Sequence, residues 1–293
     1  MKVACLGSLK LDVVTQLADA FPYTADTYDV ADVYLRLGGT AGVFAAAARG
    51  HFESLDIIAA VGSDQWTSMI MSGIVDMGAV LHPFWCASPN GVVLSVRAAA
   101  AADGATRRML IASAASPHKL LTERHVQDCK TVIAEADVLV CDTYLIQARS
   151  SGAALLAALS IAKLVGTRTV LDVVPHNLFR ELTLVDLEPY FAAADVVVIE
   201  ARTLSGLAGI DGAQAGDDDH AVDTALHIAE TIDLGCSWTI RSGRSNIEMV
   251  TVKHPNGHAF QYCTTYRSER DLHGFGDRLL VSELLNGVLF LND

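Results

Sequence analysis

Short runs rich in β-branched residues alternate with longer helical stretches through the second half of this 293-residue chain. Val138–Cys141 is predicted to form a buried strand, and Ser151–Val165, stopped by Gly166, the helix that follows it. Thr169–Val174 and Val196–Ile199 continue the alternation as further strands. Repeated strand–helix–strand units predict a parallel sheet with helices on both faces and right-handed crossovers.

Two earlier regions, 13–37 and 91–114, interrupt that rhythm. The second alternates apolar and polar residues around Asp103-Gly104, a pattern that predicts antiparallel hairpin strands. The paired glycines Gly38 and Gly39 follow the first region and suit a hinge. We therefore expect a single domain over residues 1–293, in which these two regions supply a small additional sheet.

Composition argues against several classes of partner. The formal net charge of −13 and the isoelectric point near 5.1 are unfavourable for binding nucleic acid or an anionic membrane surface. A hydrophobic content of 51% with 19% charged residues is typical of a soluble domain with a large buried core. A small phosphate-bearing ligand is still compatible with this charge, because local backbone dipoles bind anions at short range.

The sequence also bears on cellular location. Its six cysteines are scattered without a Cys-x-x-Cys pair, which favours buried free thiols in a reducing cytosol over a disulfide framework or a zinc site. Lys10 and Asp12 break the apolar N-terminal run, so that run predicts a first strand and not a signal peptide. No segment has the length of uncharged apolar sequence that a membrane span needs. These features predict a cytoplasmic protein.

The run Asp271–Asp277 (Asp-Leu-His-Gly-Phe-Gly-Asp) stands just before an apolar stretch from Leu279 to Leu291, which we expect to be helical. Its two glycines allow a tight turn with outward amides, and the helix N-terminus favours an anion such as a phosphate. A carboxylate at Asp277, beside that anion site, suits a base that takes a proton from an attacking hydroxyl. The alternative is an ordinary glycine turn in which Asp277 only caps the helix.

This heptad resembles the Asp-Thr-x-Gly-Ala-Gly-Asp signature of the ribokinase family, the PfkB-type carbohydrate kinases. Three earlier segments fall in that family's order: Gly7–Asp12, the glycine-glycine segment Gly38–Ala45 that leads to Ala48-Arg49-Gly50, and the Val-Gly-Ser-Asp step Val61–Asp64. The resemblance spans almost the whole chain and implies a ribokinase-like three-layer α/β/α core with a mostly parallel sheet. In that family a small β-sheet, here from 13–37 and 91–114, projects as a lid over the substrate.

The resemblance implies a catalytic role for the glycine heptad. Asp277 would be the general base, and the backbone N–H groups of Gly274, Phe275 and Gly276 would stabilise charge on the transferring phosphoryl group. Asp12 would accept hydrogen bonds from substrate hydroxyls. Its alternative role is a structural cap at the end of the first strand.

The remaining substrate residues follow from the same resemblance. Gly38 and Gly39 would border the substrate, together with Arg107 or Arg108, which stand where relatives carry a lid arginine. A solvent-facing lid charge is the competing interpretation of that arginine. At the position of Val43 the family usually has an asparagine for sugar hydroxyls, and a valine side chain neither donates nor accepts hydrogen bonds. The pattern of hydroxyl recognition is therefore altered.

The nucleotide side departs further from the family pattern. The family's Asn-x-x-Glu motif, which organises Mg²⁺ and phosphate, aligns with Glu200 and Thr203, so Glu200 is the candidate carboxylate for Mg²⁺. Ile240–Asn246 resembles the family's Thr-x-Gly-x-x-Gly loop. Gly243 is kept, and Arg241 replaces the threonine, where it either contacts phosphate or is solvated.

Two functions stay open at this point. The first is an ATP- and Mg²⁺-dependent kinase that moves the γ-phosphoryl group to a hydroxyl of a sugar, nucleoside or related metabolite. The second is a kinase-like binding or regulatory protein that has lost phosphoryl transfer. The chain ends soon after Asp277, where relatives usually continue through helices that wall the adenine, so a more open base site is expected. The oligomeric state also stays open, although unpaired lid edges favour pairing between subunits, as in a homodimer through the lid strands.

Overall fold

A computed structural model describes the chain except for residues 18–29, 31, 99–106, 176–177, 211–217, 233, 245–246, 266–273 and 291–293. The described residues form thirteen strands: β1 (Lys2–Leu6), β2 (Lys10–Gln16), β3 (Val33–Gly38), β4 (Ser54–Val61), β5 (Val80–Trp85), β6 (Gly91–Ala98), β7 (Arg107–Ala112), β8 (Val138–Asp142), β9 (Arg168–Asp172), β10 (Val196–Glu200), β11 (Ser237–Arg244), β12 (Ile247–Lys253) and β13 (Ala259–Thr265). They also form nine α-helices: α1 (Thr40–Ala48), α2 (Thr67–Asp76), α3 (Glu123–Asp128), α4 (Lys130–Glu135), α5 (Arg149–Val165), α6 (Leu184–Phe191), α7 (Ala201–Leu207), α8 (Asp218–Thr231) and α9 (Phe275–Leu285).

The main sheet has the spatial order β13-β12-β11-β10-β9-β8-β1-β4-β5. Neighbours from β5 to β11 run parallel, and β12 and β13 add antiparallel strands at one edge. The order reverses at β1, because β4 lies on one side of β1 and β8 on the other. In open parallel sheets, such a reversal leaves a crevice beyond the carboxyl ends of the strands, where ligands bind.

Alternate side chains of the central strands pack into two separate hydrophobic clusters. In β1, Ala4 and Leu6 belong to one cluster, whereas Val3 and Cys5 belong to the other. Helices α5 and α8 contribute to the first cluster, and α1, α2 and α9 to the second. Because successive side chains of a strand point to opposite faces, both faces of the sheet are buried, as the uninterrupted apolar strands predicted.

The predicted alternation of strands and helices is confirmed. The strand expected at Val138–Cys141 is β8, and the next two expected strands are β9 and β10. The helix expected at Ser151–Val165 is α5, which begins two residues earlier. Gly166 follows it with a φ of 81°, the left-handed conformation in which glycine ends a helix.

The helix predicted from Leu279 to Leu291 is wrong at both ends. Helix α9 already begins at Phe275 and stops at Leu285. Gly287, with a φ of 66°, then leads into a separate 3₁₀ turn at Val288–Phe290. The apolar residues after Leu279 predicted one continuous helix, but Gly287, with its positive φ, separates α9 from the 3₁₀ turn.

A second sheet has the order β3-β2-β6-β7 and draws on the two regions expected to supply it. Strands β6 and β7 form the expected antiparallel pair, while the Asp103-Gly104 turn lies outside the described residues. Two features differ from expectation. Strand β2 pairs with β6 in parallel, and it begins at Lys10, before the expected boundary at residue 13. Asp12 therefore belongs to this second sheet and does not cap the first strand, which ends at Leu6.

All six cysteines are free thiols, in line with the scattered spacing, and Cys5, Cys141 and Cys236 are buried. Within the described ranges, no helix combines the length and the apolar character needed to cross a bilayer.

Gly38 and Gly39 connect β3 to α1, where the chain passes close to residues 8–12. Gly39 has φ 75° and ψ 163°, a combination that only glycine adopts without strain. A Cβ atom at Gly39 would collide with the Ser8 carbonyl, and one at Gly38 would collide with the Asp12 carboxyl group. The two glycines therefore allow the start of α1 to pack against the segment that carries Asp12.

Gly39→Ala should destabilise the protein by about 3 kcal/mol or more, because the added methyl group combines backbone strain with the collision at Ser8. Gly166→Ala is the matched control. Gly166 also has a positive φ, but no heavy atom of the described residues outside its own helix lies within 4 Å of its Cβ position. The control should cost only about 1 kcal/mol. Urea unfolding measures both, and equal losses would contradict the close contact at Gly39.

Candidate active site

A cavity of about 290 Å³ lies at the carboxyl edge of the main sheet. Its wall combines the ends of β9 and β10, the N-termini of α1 and α9, and residues of the second sheet. Nine residues that the sequence singled out line this one cavity: Asp12, Gly39, Val43, Glu200, Arg241, Gly274, Phe275, Gly276 and Asp277. The structure thus brings together side chains that are more than 250 residues apart in the chain.

The N-terminus of α9 opens onto the cavity. Gly274 occupies the N-cap with a φ of 69°, and a Cβ atom there would lie 2.6 Å from Cγ1 of Val43. The amide of Arg278 donates to the Gly274 carbonyl at 2.9 Å, so the amides of residues 275–277 precede the hydrogen-bond ladder of the helix. These amides carry the partial positive charge of the helix dipole. The first three residues of the predicted heptad, 271–273, lie outside the described residues.

Asp277 is the third residue of α9, and its carboxyl group contributes to the cavity wall. Burial raises the pKa of this carboxyl to about 8, and the nearby Asp172 adds to the increase. The positive charge of Arg241 lowers the pKa of Asp277 and so offsets part of this increase. A carboxyl group whose pKa is shifted this far by burial and by a like charge is a candidate proton acceptor or donor.

Two further carboxylates at this edge were missed by sequence reasoning. Asp142 and Asp172 end the neighbouring parallel strands β8 and β9 and face each other in register. Asp142 is buried, accepts hydrogen bonds from the Thr40 hydroxyl and, at 2.8 Å, from the Tyr144 amide, and has its pKa raised by burial to about 7. The sequence contains a pattern that could have identified these two aspartates, because each one ends a run of apolar strand residues.

Asp12 faces the cavity from the second sheet. Its Oδ2 accepts a hydrogen bond from Nη2 of Arg36 at 3.1 Å, across the β2–β3 pair, and the Asp12 side chain is buried. Gly38 lies on the neighbouring strand and leaves room for this carboxyl group. The Asp12 carboxylate is thus bonded to the Arg36 guanidinium, and Asp12 lines the cavity where a ligand would lie.

Arg241 is buried, so the solvated alternative is wrong for this residue. Its Nη2 donates to Oε2 of Glu283 at 2.7 Å, and its Nη1 donates to the Gly276 carbonyl at 3.3 Å. Glu283 also accepts a hydrogen bond from the Tyr262 hydroxyl. The guanidinium therefore links β11 to α9 through hydrogen bonds to Gly276 and Glu283. Gly243 lies further along β11, opposite Glu248.

Glu200 ends β10 and lies opposite Arg241 in the β10–β11 register, with its side chain half-buried at the cavity wall. Among the residues that the structure describes, no group of three or more His, Cys, Asp or Glu is arranged to hold a metal ion. Mg²⁺ usually binds through one or two carboxylates together with phosphate oxygens and water. A single carboxylate such as Glu200 is compatible with that mode of binding.

The remaining predicted residues are placed as follows. Val43 lies in the first turn of α1 and packs against Gly274, so the side chain that replaces the family's asparagine contacts the glycine turn. Arg107 begins β7 opposite Ala98, and its side chain is not among the described parts of the structure. Lys10 and Tyr144 also line the cavity, although sequence reasoning assigned neither of them a role.

No protein-family model and no curated protein matches the sequence. Solved structures do match. A ribokinase from Giardia lamblia superimposes with a TM-score of 0.74 at 16% identity, over 97% of this chain and 82% of that one. An adenosine kinase from Sinorhizobium meliloti gives 0.74 at 14% identity, over 98% and 88% of the two chains. A ribokinase from Arabidopsis thaliana, solved with ribose and ATP, gives 0.71 at 15% identity, over 98% and 86%.

Identities this low establish the fold alone. The chain has the ribokinase-like fold, and the resemblance inferred from its motifs is confirmed at that level. Structures described as ribokinase, adenosine kinase and fructokinase share this fold.

Arg241→Met should destabilise the protein by about 3–5 kcal/mol, because it leaves Glu283 buried without its cation. The double variant Arg241→Met/Glu283→Leu should recover most of that loss, since no uncompensated charge then remains. Chemical denaturation of the two single variants and the double variant forms a complete cycle. A loss below about 1 kcal/mol for Arg241→Met would show that the ion pair does not hold α9 to the sheet.

Proposed function

We propose that the protein is an ATP-dependent small-molecule kinase that transfers the γ-phosphoryl group to a hydroxyl of a sugar, nucleoside or related metabolite. The observation that carries this proposal is the position of the Asp277 carboxyl beside the first amides of α9, in the wall of one cavity. The ribokinase-like fold supports it, because structurally similar kinases were solved with ATP bound. The net charge of −13 is unfavourable for nucleic acid or an anionic membrane as a partner, which supports a small-molecule substrate. The proposed location is the cytoplasm.

The proposed reaction is a direct displacement. The acceptor hydroxyl oxygen forms a bond to the γ-phosphorus, the bond from that phosphorus to the β–γ bridging oxygen breaks, and the hydroxyl proton passes to Asp277. Charge on the equatorial oxygens of the moving phosphoryl group is stabilised by the amides of Gly274, Phe275 and Gly276, which are already oriented by the fold. ADP leaves with the bridging oxygen.

The acceptor is held by the second sheet in this proposal. Asp12, fixed by Arg36, accepts hydrogen bonds from substrate hydroxyls, and Gly38 and Gly39 allow close approach of the backbone. Arg107 is a further candidate contact from β7. Val43 provides an apolar surface in place of an amide, so the acceptor should make fewer polar contacts at that point than a sugar in a related kinase.

The nucleotide phosphates are proposed to lie toward the ends of β10 and β11, near Glu200, Arg241 and Gly243. Glu200 fits a Mg²⁺ ion that is shared with phosphate oxygens, since one or two carboxylates suffice for such an ion. Bound there, the ion would neutralise charge on the phosphates. Arg241 contributes positive charge close to Asp277 while it stays bonded to Glu283.

The second sheet is proposed to act as a lid within a single domain, and its edges as a dimer contact. Both edge strands expose large apolar side chains, namely Val33, Tyr34 and Leu35 on β3 and Met109, Leu110 and Ile111 on β7. Exposed apolar edge strands are prone to pair with another chain. A homodimer through these strands would cover them.

One observation favours the second candidate, a binding or regulatory protein without phosphoryl transfer. With a pKa near 8, the Asp277 carboxyl group is mostly protonated at neutral pH, and a protonated acid donates a hydrogen bond instead of accepting a proton. Calorimetric titration with ATP and ADP at millimolar Mg²⁺ separates the candidates. Absence of nucleotide binding would exclude the kinase.

Asp277→Asn should lower kcat by about 10²–10⁴-fold, because the amide cannot take up the hydroxyl proton. Nucleotide affinity and the melting temperature should change little, since the amide has nearly the shape of the acid. Asp76→Asn on the exposed end of α2 makes the same change in net charge and serves as the control. Coupled ADP-release assays measure turnover, and an Asp277→Asn enzyme with the turnover of the control would remove Asp277 from the mechanism.

The rate should also depend on pH in a predictable direction. The ionised carboxylate is the base, so kcat/KM should rise about tenfold per pH unit and level off above the pKa of about 8. Asp172→Asn should move this midpoint to lower pH, because it removes a negative neighbour that raises the pKa of Asp277. The apparent midpoint belongs to the coupled carboxylates. A flat profile from about pH 6 to about pH 9 would contradict the assignment.

A further inference from the structure

Lys10 is a buried cation in the cavity wall that the proposed reaction does not use. It begins β2, its residue is only 8% exposed, and it lines the cavity together with Asp12. Gly91 on the neighbouring strand accommodates its stem, since a Cβ atom at Gly91 would lie 3.0 Å from Cγ of Lys10. The chain therefore makes room for this long side chain at the substrate end of the cavity.

Within the described residues, the Lys10 ammonium makes no hydrogen bond and no ion pair. Its Nζ lies over the ring of Tyr144, 5.2 Å from the centroid. The neighbouring carboxylates are bonded elsewhere: Asp12 to Arg36, and Asp142 to Thr40 and Tyr144. Lys10 is thus not the bonded counter-ion of either acid.

The surroundings of Lys10 do not compensate for its burial. Burial lowers the pKa of Lys10, Lys119 adds to this effect, and Asp142 and Asp12 act against it. The buried His118 nearby has its pKa lowered to about 3, mainly by burial, and stays neutral. The Lys10 side chain is largely removed from water and its ammonium has no bonded partner among the described residues, so a ligand that supplies an anionic oxygen at this point would be favoured.

We propose that Lys10 binds a carboxylate of the acceptor substrate, so that the substrate is a polyhydroxy acid and not a neutral sugar. This inference rests on the proposed function in one respect, namely that a substrate hydroxyl receives the phosphoryl group. Binding of the substrate carboxylate to Lys10 does not depend on phosphoryl transfer. In this arrangement the carboxylate pairs with Lys10, one or more hydroxyls donate to Asp12, and another hydroxyl faces Asp277.

A carboxylate suits the site better than a phosphate ester. Lys10 supplies one positive charge, and Asp12, Asp142 and Asp172 are close by. A monoanion balances a single cation, whereas a phosphate dianion would leave a net negative charge beside these carboxylates. A neutral polyol would leave the ammonium without an anionic partner.

The test compares matched acids and neutral polyols by calorimetry in the absence of nucleotide. The probes are aldonates of four to six carbons, D-gluconate among them, each paired with its alditol, such as D-glucitol, and with D-glucitol 6-phosphate as the phosphate arm. At least one aldonate should bind about 10- to 100-fold more tightly than its alditol, since that is the contribution of a charged hydrogen bond. If no aldonate binds more tightly than its alditol, or if the phosphate ester binds more tightly than the aldonates, the proposal is overturned.

Lys10→Met keeps the length of the stem and removes the charge, so it should abolish the preference for the acid, whereas Lys10→Arg should retain part of it. Lys163→Met is the control, because Lys163 is exposed in the last turn of α5 and the change removes the same charge away from Lys10. A purely structural role for Lys10 would weaken acid and alditol equally, and that result would also overturn the proposal. Lys10-dependent aldonate binding without turnover would count against the kinase alone, and turnover of alditols and aldonates at equal kcat/KM would count against this inference alone.

Discussion

The buried ion pair between Arg241 and Glu283 is the interaction on which the geometry of the site depends. The N-cap of α9 is Gly274, which offers no side-chain hydrogen bond to the first amides of the helix. The guanidinium of Arg241 bonds both to Glu283 and to the Gly276 carbonyl, two positions that lie seven residues, or about two helical turns, apart on α9. A buried ion pair is a poor source of stability but a strong constraint on position. It sets the distance between the amides of α9 and the ends of β9 and β10.

The same edge of the sheet concentrates negative charge. Burial is the largest cause of the raised pKa of the Cys5 thiol on β1, and Asp142, Cys141, Asp277 and Asp172 all add to the increase. Parallel strands bring their carboxyl ends to one edge, and the reversal of strand order at β1 opens a crevice there. Carboxyl groups crowded in a crevice are held partly protonated by burial and by each other. Hydroxyl donors and cations are therefore favoured next to these carboxyl groups, whereas the amides at the start of α9 and the Lys10 ammonium, in the wall of the same cavity, favour anions.

The second sheet contributes one positive and one negative side chain to the cavity wall. Strand β2 presents a carboxylate and an ammonium two residues apart, Asp12 and Lys10, on the face that lines the cavity. Each is accommodated by a glycine on a neighbouring strand, Gly38 for Asp12 and Gly91 for Lys10. These glycines leave room for the two charged side chains within the second sheet. In the proposed function, recognition of one end of a substrate and chemistry at the other would be divided between the two sheets.

The sequence by itself determined the local features of this protein. Runs of β-branched residues specified the buried strands, and Gly166 the end of α5, because backbone preference and hydrophobic pattern are properties of short segments. The turn expected over both glycines around Phe275 is only partly right, since Gly274 is the N-cap of α9 but Gly276 already lies within that helix. It could not place Asp12 in the second sheet, since strand pairing depends on partners far along the chain. The burial of Arg241 with Glu283, the convergence of Asp142 and Asp172 on Asp277, and the placement of the Lys10 side chain in the cavity wall were decided only by the tertiary structure. Electrostatic environment is a property of what surrounds a group in space, and the groups that surround these come from segments the sequence keeps far apart.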